Sequence, residues 1–181
     1  MKSYDYAHRS GVSQLTWDDF AALSRRLAEL LEPYQPQVIL GVARAGLFPA
    51  TAVACSLRCE FFPIRLTRRV NDEVFYDQPV WKIPVPPEVK GMLVAVVDEI
   101  ADTGQTLTMV ADSARAMGAA QVVSACLVSH SWADPAPHIS ALVSDEFIIF
   151  PWDRQVLSGG KWITRPEIEA GLKAQSRSAH G

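Results

Sequence analysis

Short apolar runs alternate with amphipathic segments along most of this chain. The apolar runs are rich in branched residues and predict buried strands at 37–43, 59–66, 92–99, 121–130 and 146–150. The amphipathic segments repeat apolar residues every three or four positions and predict helices at 17–34, 47–57, 106–119 and 164–175. Such alternation is typical of an α/β fold, in which helices flank both faces of a mostly parallel sheet.

Residues 66–90 break this alternation. Charged residues followed by four prolines give the segment no clean period. We expect a long mobile loop or a hairpin there, and loops of this length in compact domains are often functional. The segment is therefore a candidate functional element rather than part of the scaffold.

Composition narrows the class of protein. The 181 residues, 49% apolar and 20% charged, suit one globular domain with a sizeable core. The formal net charge is -3 without a dominant Lys or Arg run, so we expect no nucleic-acid partner. The sequence has no apolar stretch of membrane-spanning length, and residues 1–14 lack the apolar segment of a signal peptide. We therefore expect a cytoplasmic protein with no membrane partner. Cys55 and Cys126 are predicted to be reduced core thiols.

Residues 96–106, VVDEIADTGQT, combine two kinds of binding chemistry. Asp98 and Glu99 end a predicted strand, at the edge of a parallel sheet where ligands bind, and suit sugar hydroxyls or a divalent cation. The loop that follows contains Gly104 and opens a helix, so its backbone N–H groups suit a phosphate. A phosphate beside a diol describes a ribose 5-phosphate, whereas the simplest alternative is a solvated acidic pair. Neither G-x-x-x-x-G-K-[ST] nor G-x-G-x-x-G occurs in the sequence.

The run VVDEIADTGQT resembles the phosphoribosyl pyrophosphate (PRPP) motif of the type I phosphoribosyltransferases: apolar residues, two acids, a short spacer and T-G-x-T. Residues 39–50, ILGVARAGLFPA, resemble the pyrophosphate loop of the bacterial and archaeal 6-oxopurine (xanthine-guanine or hypoxanthine-guanine) branch. Residues 147–153, FIIFPWD, are similar to the purine hood of that branch. The resemblance covers about 17–153.

The resemblance implies the type I phosphoribosyltransferase fold, with a small C-terminal hood added to the α/β sheet. It implies a single domain over 1–181, with a core of about 16–130, a flexible loop of about 66–90, and a hood and C-terminal segment of about 131–175. Arg68 and Arg69 begin the loop, where they either reach pyrophosphate or are simply solvated.

The resemblance also implies a role for each matching residue. The PRPP-binding set is Arg44, Ala45, Gly46, Asp98, Glu99, Asp102, Thr103, Gly104, Gln105 and Thr106. The base-binding set is His130, Phe147, Ile148 and Asp153, and the Mg²⁺ set is Asp98, Glu99 and Asp153. Asp102 is the candidate catalytic base facing N7 of the purine, Phe147 stacks on the base, and a non-proline cis peptide is expected in the pyrophosphate loop.

Two positions depart from the 6-oxopurine pattern. Ala45 stands where that branch usually has glycine. The second departure matters more. That branch usually carries a lysine at the end of the strand here predicted at 121–130, where it donates to O6 of the base. This chain has His130 instead. A neutral histidine donates one hydrogen bond without a fixed charge, so His130 either replaces the lysine or is a bystander at a strand end.

The reaction implied by the resemblance joins a purine base, guanine, xanthine or hypoxanthine, to PRPP with Mg²⁺ and releases pyrophosphate. The implied partners are PRPP and a nucleobase, and the implied assembly is a homo-oligomer, a dimer or tetramer. Two alternatives stay open: a PRPP-binding regulator with little catalysis, and a phosphoribosyltransferase for a different base.

Overall fold

The computed structural model describes residues 9–67, 69–70, 73–76 and 79–178. Within these ranges the strands are β1 Val12–Gln14, β2 Val38–Val42, β3 Glu60–Thr67, β4 Arg69–Val70, β5 Glu73–Val74, β6 Val80–Ile83, β7 Leu93–Ala101, β8 Gln121–Ser129, β9 Ile139–Val143, β10 Phe147–Ile149, β11 Gln155–Ser158 and β12 Lys161–Thr164. The helices are α1 Trp17–Leu31, α2 Leu47–Leu57, α3 Gln105–Ala116 and α4 Pro166–Ser178. Single 3₁₀ turns occur at Glu32–Tyr34, Pro87–Val89 and Pro151–Asp153.

The chain divides into two compact units. The larger unit is Ala22–Ser144, and the smaller unit combines Met1–Ala21 with Asp145–Gly181. The main sheet belongs entirely to the larger unit.

The main sheet has six strands in the order β6–β3–β2–β7–β8–β9. Neighbouring strands from β3 to β9 pair in parallel, and β6 pairs antiparallel to β3 at one edge. Every residue of β2 is buried, which is the pattern of a strand covered on both faces. α3 contributes Leu107, Val110, Ala111 and Ala114 to the core, the helical spacing that its sequence predicts. The expected mostly parallel α/β fold is confirmed.

The strand order reverses direction beside β2. From β2 the chain passes through α2 to β3 on one side, and later returns to β7 on the other side of β2. The loops after β2 and β7 therefore leave the sheet in opposite directions. In open α/β sheets the crevice between two such loops is where ligands bind.

Two strands of the main sheet were not predicted. β6 lies inside the segment 66–90, where the structure also places the β4–β5 hairpin, so the expectation of a hairpin is met in part. β9 extends the sheet to residue 143, beyond the expected core of about 16–130. Arg68 lies outside the described residues.

The cysteine prediction is half right. Cys126 is buried within β8, as predicted, whereas Cys55 is exposed on α2, so its assignment to the core is wrong. Burial raises the pKa of the Cys126 thiol to about 12, so this side chain is a neutral core thiol at physiological pH.

The smaller unit has its own core. β1 pairs in parallel with β10, and β11 and β12 form an antiparallel hairpin. Phe147 and Ile149 of β10 pack with Ile168 of α4 and with Val12. The unit also contains the start of α1, where Thr16 accepts the Asp19 backbone N–H at 3.1 Å and so caps the helix.

Candidate active site

Asp98 and Glu99, the acidic pair, lie where β7 extends beyond the end of its neighbour β2. Pairing between β2 and β7 ends at Gly41 and Val97, but pairing between β7 and β8 continues to Ala101. On the β2 side, β7 therefore meets no strand from Asp98 onward. The loop that follows β2 lies in this position.

Gly46 of that loop packs directly on Asp98. A Cβ added to Gly46 would lie 2.5 Å from Asp98 Oδ1 and 2.9 Å from Asp98 Cα. It would also lie 2.6 Å from the Val42 carbonyl oxygen. Any side chain at this position would separate the predicted pyrophosphate loop from the acidic pair, so glycine is required for their close approach.

Asp98 is a buried carboxyl, with 7% of the residue exposed. Burial raises its pKa well above the usual range, and the adjacent Glu99 charge raises the pKa further. Asp98 Oδ1 accepts the Glu99 backbone N–H at 2.9 Å. Because a charge on Asp98 is unfavourable in this place, a bound cation or sugar hydroxyl would offset the cost of ionising it.

The loop between β2 and α2 combines an exposed side chain with tightly held backbone. Arg44 is exposed, and the peptide bond between Ala43 and Arg44 is cis, as expected for this loop. The Ala43 N–H donates to the Ile64 carbonyl of β3 at 2.7 Å. Ala45 does not have a positive φ, so its Cβ is compatible with the backbone.

The loop between β7 and α3 was predicted to bind a phosphate, and its geometry suits an anion. Gly104 has φ +77° and precedes α3 as its N-cap, so the N-cap residue has no side chain to accept from the first turn. The Gln105 N–H makes only a long hydrogen bond, 3.5 Å, to Thr103 Oγ1. Thr103, Gln105 and Thr106 are exposed, whereas Gly104 is buried. A helix N-terminus whose N-cap is glycine, with small polar residues around it, presents N–H donors suited to a phosphate.

A second segment fixes the orientation of this loop. The Asp134 N–H donates to the Thr103 carbonyl at 3.2 Å, and the Pro135 carbonyl lies against Gly104 where a Cβ would stand. In a trans peptide the C=O and N–H groups point in opposite directions. The Gly104 N–H is therefore turned away from Asp134. These contacts come from the chain after β8, whose contribution the sequence did not indicate.

Asp102 and His130 face each other across this loop. His130 Nε2 lies 3.9 Å from Asp102 Oδ1, and the His130 side chain has no exposed surface while that of Asp102 is 38% exposed. His130 Nδ1 lies 2.6 Å from the Ser144 carbonyl oxygen, and its ring stacks on Trp132 with centroids 4.3 Å apart. A carbonyl only accepts, so Nδ1 carries the hydrogen.

This tautomer bears on the predicted O6 contact of His130. With the hydrogen on Nδ1, a neutral His130 has an acceptor at Nε2 and donates only when protonated. The ring is also buried beneath Trp132, which is itself 39% exposed. A direct contact of His130 with the base stays a prediction, and it requires the ring to be uncovered and charged.

The remaining predicted base-binding residues lie in the smaller unit. Phe147 is buried, the Arg9 guanidinium lies 5.6 Å from its ring centroid, and Gly171 of α4 approaches so closely that a Cβ there would lie 2.6 Å from the ring. Stacking on a base therefore needs a ring face that this structure covers. Ile148 is also buried, and Asp153 forms an ion pair with Arg165.

Comparison with known proteins decides the family. A sequence profile of the phosphoribosyl transferase domain matches residues 14–158, most of the chain. The chain belongs to the phosphoribosyltransferase family. The fold and family expectations are confirmed, and with them the expectation of an enzyme of the pentosyltransferase class.

Individual relatives carry purine-related names. A purine phosphoribosyltransferase of known structure from Pyrococcus horikoshii OT3 is 33% identical, with a TM-score of 0.71 over 79% of this chain and 94% of that one. The adenine phosphoribosyltransferase of Gluconobacter oxydans is 25% identical over 118 residues, 61% of this chain and 66% of the relative, just under two thirds of its length. The xanthine-guanine-hypoxanthine enzyme of Helicobacter pylori, 20% identical over 78% of this chain and 92% of that one with TM-score 0.65, shares the fold.

Two further observations concern partners. No helix in the described ranges is both long and apolar enough to cross a membrane. Across the same ranges, no group of three His, Cys, Asp or Glu side chains is close enough to hold a metal ion by itself. Mg²⁺ is commonly held by one or two carboxylates plus substrate phosphates, so the pair Asp98 and Glu99 fits it without a third protein ligand.

Proposed function

We propose that the protein transfers the 5-phosphoribosyl group of PRPP to a purine base and releases pyrophosphate. The observation that carries this proposal is the contact of Gly46 with Asp98. It joins a loop suited to pyrophosphate to carboxylates suited to ribose hydroxyls, at the point where the strand order reverses. α3 begins at Gln105, six residues after Glu99, and its N-terminus offers a place for the 5-phosphate.

The bond changes assign a role to Asp102. N9 of the base forms a bond to C1′ of PRPP, and the bond from C1′ to the pyrophosphate oxygen breaks, with its electron pair leaving on pyrophosphate. The base must lose a proton, and Asp102, at the loop between the acidic pair and the phosphate site, accepts it from N7. General-base assistance of this kind contributes about 10²–10⁴-fold to a rate.

The other residues proposed for the site stabilise the negative charge of the leaving pyrophosphate. The transition state resembles an oxocarbenium ion, so the largest demand is for positive charge and N–H donors around the leaving pyrophosphate. Arg44 and the backbone of the 44–46 loop supply donors. Asp98 and Glu99 would hold Mg²⁺, which when bound neutralises phosphate charge. Asp153 is a weaker candidate ligand because it already pairs with Arg165.

A purine is favoured by the 33% identity to a purine phosphoribosyltransferase over nearly all of that protein. The adenine-specific name of the Gluconobacter relative and the absence of the usual lysine at His130 leave the group at C6 undecided between oxygen and nitrogen. Our proposal is therefore a purine substrate, with guanine, xanthine and hypoxanthine to be compared directly with adenine.

The experiment is a panel of free bases, each incubated with the protein, PRPP and Mg²⁺. Nucleotide formation is read by mass spectrometry and pyrophosphate release by a coupled assay. We expect at least one purine to give equal amounts of nucleotide and pyrophosphate, and orotate and uracil to give neither. Tight PRPP binding without product from any base would instead support the PRPP-binding regulator.

A further inference from the structure

The position of the His130 ring is set by the ends of three neighbouring strands. Its backbone N–H donates to Ala101 at the end of β7, at 3.2 Å. Its Nδ1–H donates to the Ser144 carbonyl just after β9, and the Ser144 N–H in turn donates to Ser129 at the end of β8, at 3.0 Å. Together with the Trp132 stack, these contacts hold one ring orientation.

That orientation turns the acceptor nitrogen toward Asp102. The 3.9 Å between Nε2 and Asp102 Oδ1 exceeds hydrogen-bond length by about 1 Å, a gap that rotation of the partly exposed Asp102 side chain can close. A neutral Nε2 offers nothing to an ionised carboxylate, because both groups only accept. It does offer an acceptor to the same carboxyl once that carboxyl carries a proton.

We infer that His130 is a positioning residue for Asp102, accepting a hydrogen bond from the Asp102 carboxyl after it has taken the proton from the base. This inference rests on the proposed function. The proton leaves N7 of the base as N9 bonds to C1′, resides on Asp102, and is shared with His130 Nε2 until it returns to solvent. The histidine thus favours the protonated state of the general base in the transition state without itself touching the substrate.

The role differs from a lysine contact to the base. A cation at this place would hold Asp102 as a carboxylate and oppose its uptake of a proton. A neutral imidazole with its hydrogen committed to Ser144 favours proton uptake instead. The difference concerns the rate of transfer and leaves PRPP binding unaffected.

The test uses two substitutions that separate the two ring nitrogens. In His130→Asn the side-chain amide can still donate to the Ser144 carbonyl, but no atom occupies the position of Nε2. In His130→Gln the longer side chain can place its amide oxygen toward Asp102 and restore the acceptor. We expect His130→Asn to lower kcat roughly tenfold, with KM for PRPP unchanged, and His130→Gln to recover most of the loss.

Kinetics are measured with the purine that the parent protein uses best, and thermal unfolding is recorded for each variant. An unchanged kcat in His130→Asn would overturn the inference. The inference would also fail if both variants lost kcat equally and in proportion to their loss of thermal stability. A parent protein that forms no nucleotide would overturn the proposed function as well. An active parent with a fully active His130→Asn variant would overturn this inference alone.

Discussion

Asp98 and Asp102, four positions apart, occupy different surroundings. Asp98 is buried within β7 beside Glu99, whereas the side chain of Asp102 is 38% exposed in the loop that follows. A buried acid that is costly to ionise suits a ligand that brings hydroxyls or positive charge. A partly exposed acid with an acceptor behind it suits reversible proton transfer. These surroundings support the proposed roles of Asp98 in binding and of Asp102 in proton transfer.

The surroundings of Asp98 predict that its carboxyl lowers the stability of the ligand-free protein, although the same carboxyl is proposed to bind PRPP. Because its folded pKa is raised, the protonated carboxyl stabilises the fold below about pH 3.8, the ordinary value, and this contribution is lost as pH rises through the raised pKa. We expect Asp98→Asn, without ligand and in EDTA, to unfold at a higher temperature than the parent at pH 7. The unfolding temperature should rise by roughly 2–4 °C for each kcal/mol of destabilisation that the substitution removes. The difference from the parent should become smaller toward about pH 4.

The control for that measurement is Asp112→Asn, since Asp112 is exposed on α3 and pairs with Arg115. Its unfolding temperature should differ little from that of the parent at either pH. A lower unfolding temperature for Asp98→Asn at pH 7 would show that the buried carboxylate is compensated within the protein alone.

Asp102 gives a kinetic prediction. Asp102→Asn retains the size and hydrogen-bonding ability of the side chain but cannot accept the proton from the base. We expect kcat to fall roughly 10²-fold while the dissociation constant for PRPP changes little. Near-normal turnover would remove Asp102 from the chemistry and leave it as part of the predicted phosphate loop, residues 102–106.

The residue types of the site were readable from sequence, but the state of His130 was not. The predicted donor role followed from the resemblance, because His130 stands where the 6-oxopurine branch usually has a lysine. Its tautomer depends on the Ser144 carbonyl, which reaches the ring because β9 pairs with β8. No local sequence pattern predicts the pairing of β9 with β8. The tautomer of His130, with its acceptor at Nε2, could therefore be identified only from the structure.

At the scale of elements, the predicted phosphate loop is held between β7 and the segment after β8. Two demands of the structure require glycine at position 104. The backbone there has a positive φ, and the Pro135 carbonyl oxygen occupies the space that a Cβ would fill. The sequence indicated the first demand through its T-G-x-T pattern. The second demand comes from a segment about thirty residues later, brought near by the parallel pairing of β7 and β8.

Gly91 offers a matched control for these demands. It has φ +76° against +77° at Gly104, but an added Cβ at Gly91 would meet nothing within 4 Å. Alanine at either glycine costs about 1 kcal/mol or more in a left-handed conformation. We expect Gly104→Ala to lower the free energy of unfolding further than Gly91→Ala, and to weaken PRPP binding by about tenfold.

Chemical unfolding and PRPP titration of the two variants supply the measurements. Gly91→Ala should bind PRPP as the parent does. Equal effects of the two substitutions on both stability and binding would show that the contact with Pro135 does not shape the phosphate loop.

Two of the elements that the sequence missed, β6 and the β11–β12 hairpin, share a physical feature. β6 is an edge strand flanked by prolines, and the hairpin of β11 and β12 is largely exposed, so neither shows the apolar run of a buried strand. β9 is short and follows a segment with two prolines. The buried strands and amphipathic helices were predicted because burial requires apolar residues at the regular spacing of a strand or a helix.

At the scale of the whole molecule, the larger unit contains every residue assigned to PRPP. Its strand order places the 44–46 loop and the 98–106 run at one reversal point, and the contact of Gly46 with Asp98 joins them. The sequence predicted the α/β class and both loops through their motifs. It did not predict that β9 completes the sheet, or that residues 145–178 pack into a separate core with β1.

The most direct test of the central claim is calorimetric titration of PRPP with Mg²⁺, without a base, into the parent and into the double variant Asp98→Asn, Glu99→Gln. Asp112→Asn serves as the control for loss of an exposed acid. We predict one PRPP per chain in the parent and the control. The double variant should bind at least tenfold more weakly, about 1.4 kcal/mol. Equal PRPP affinity in the parent and the double variant would contradict the assignment of this site.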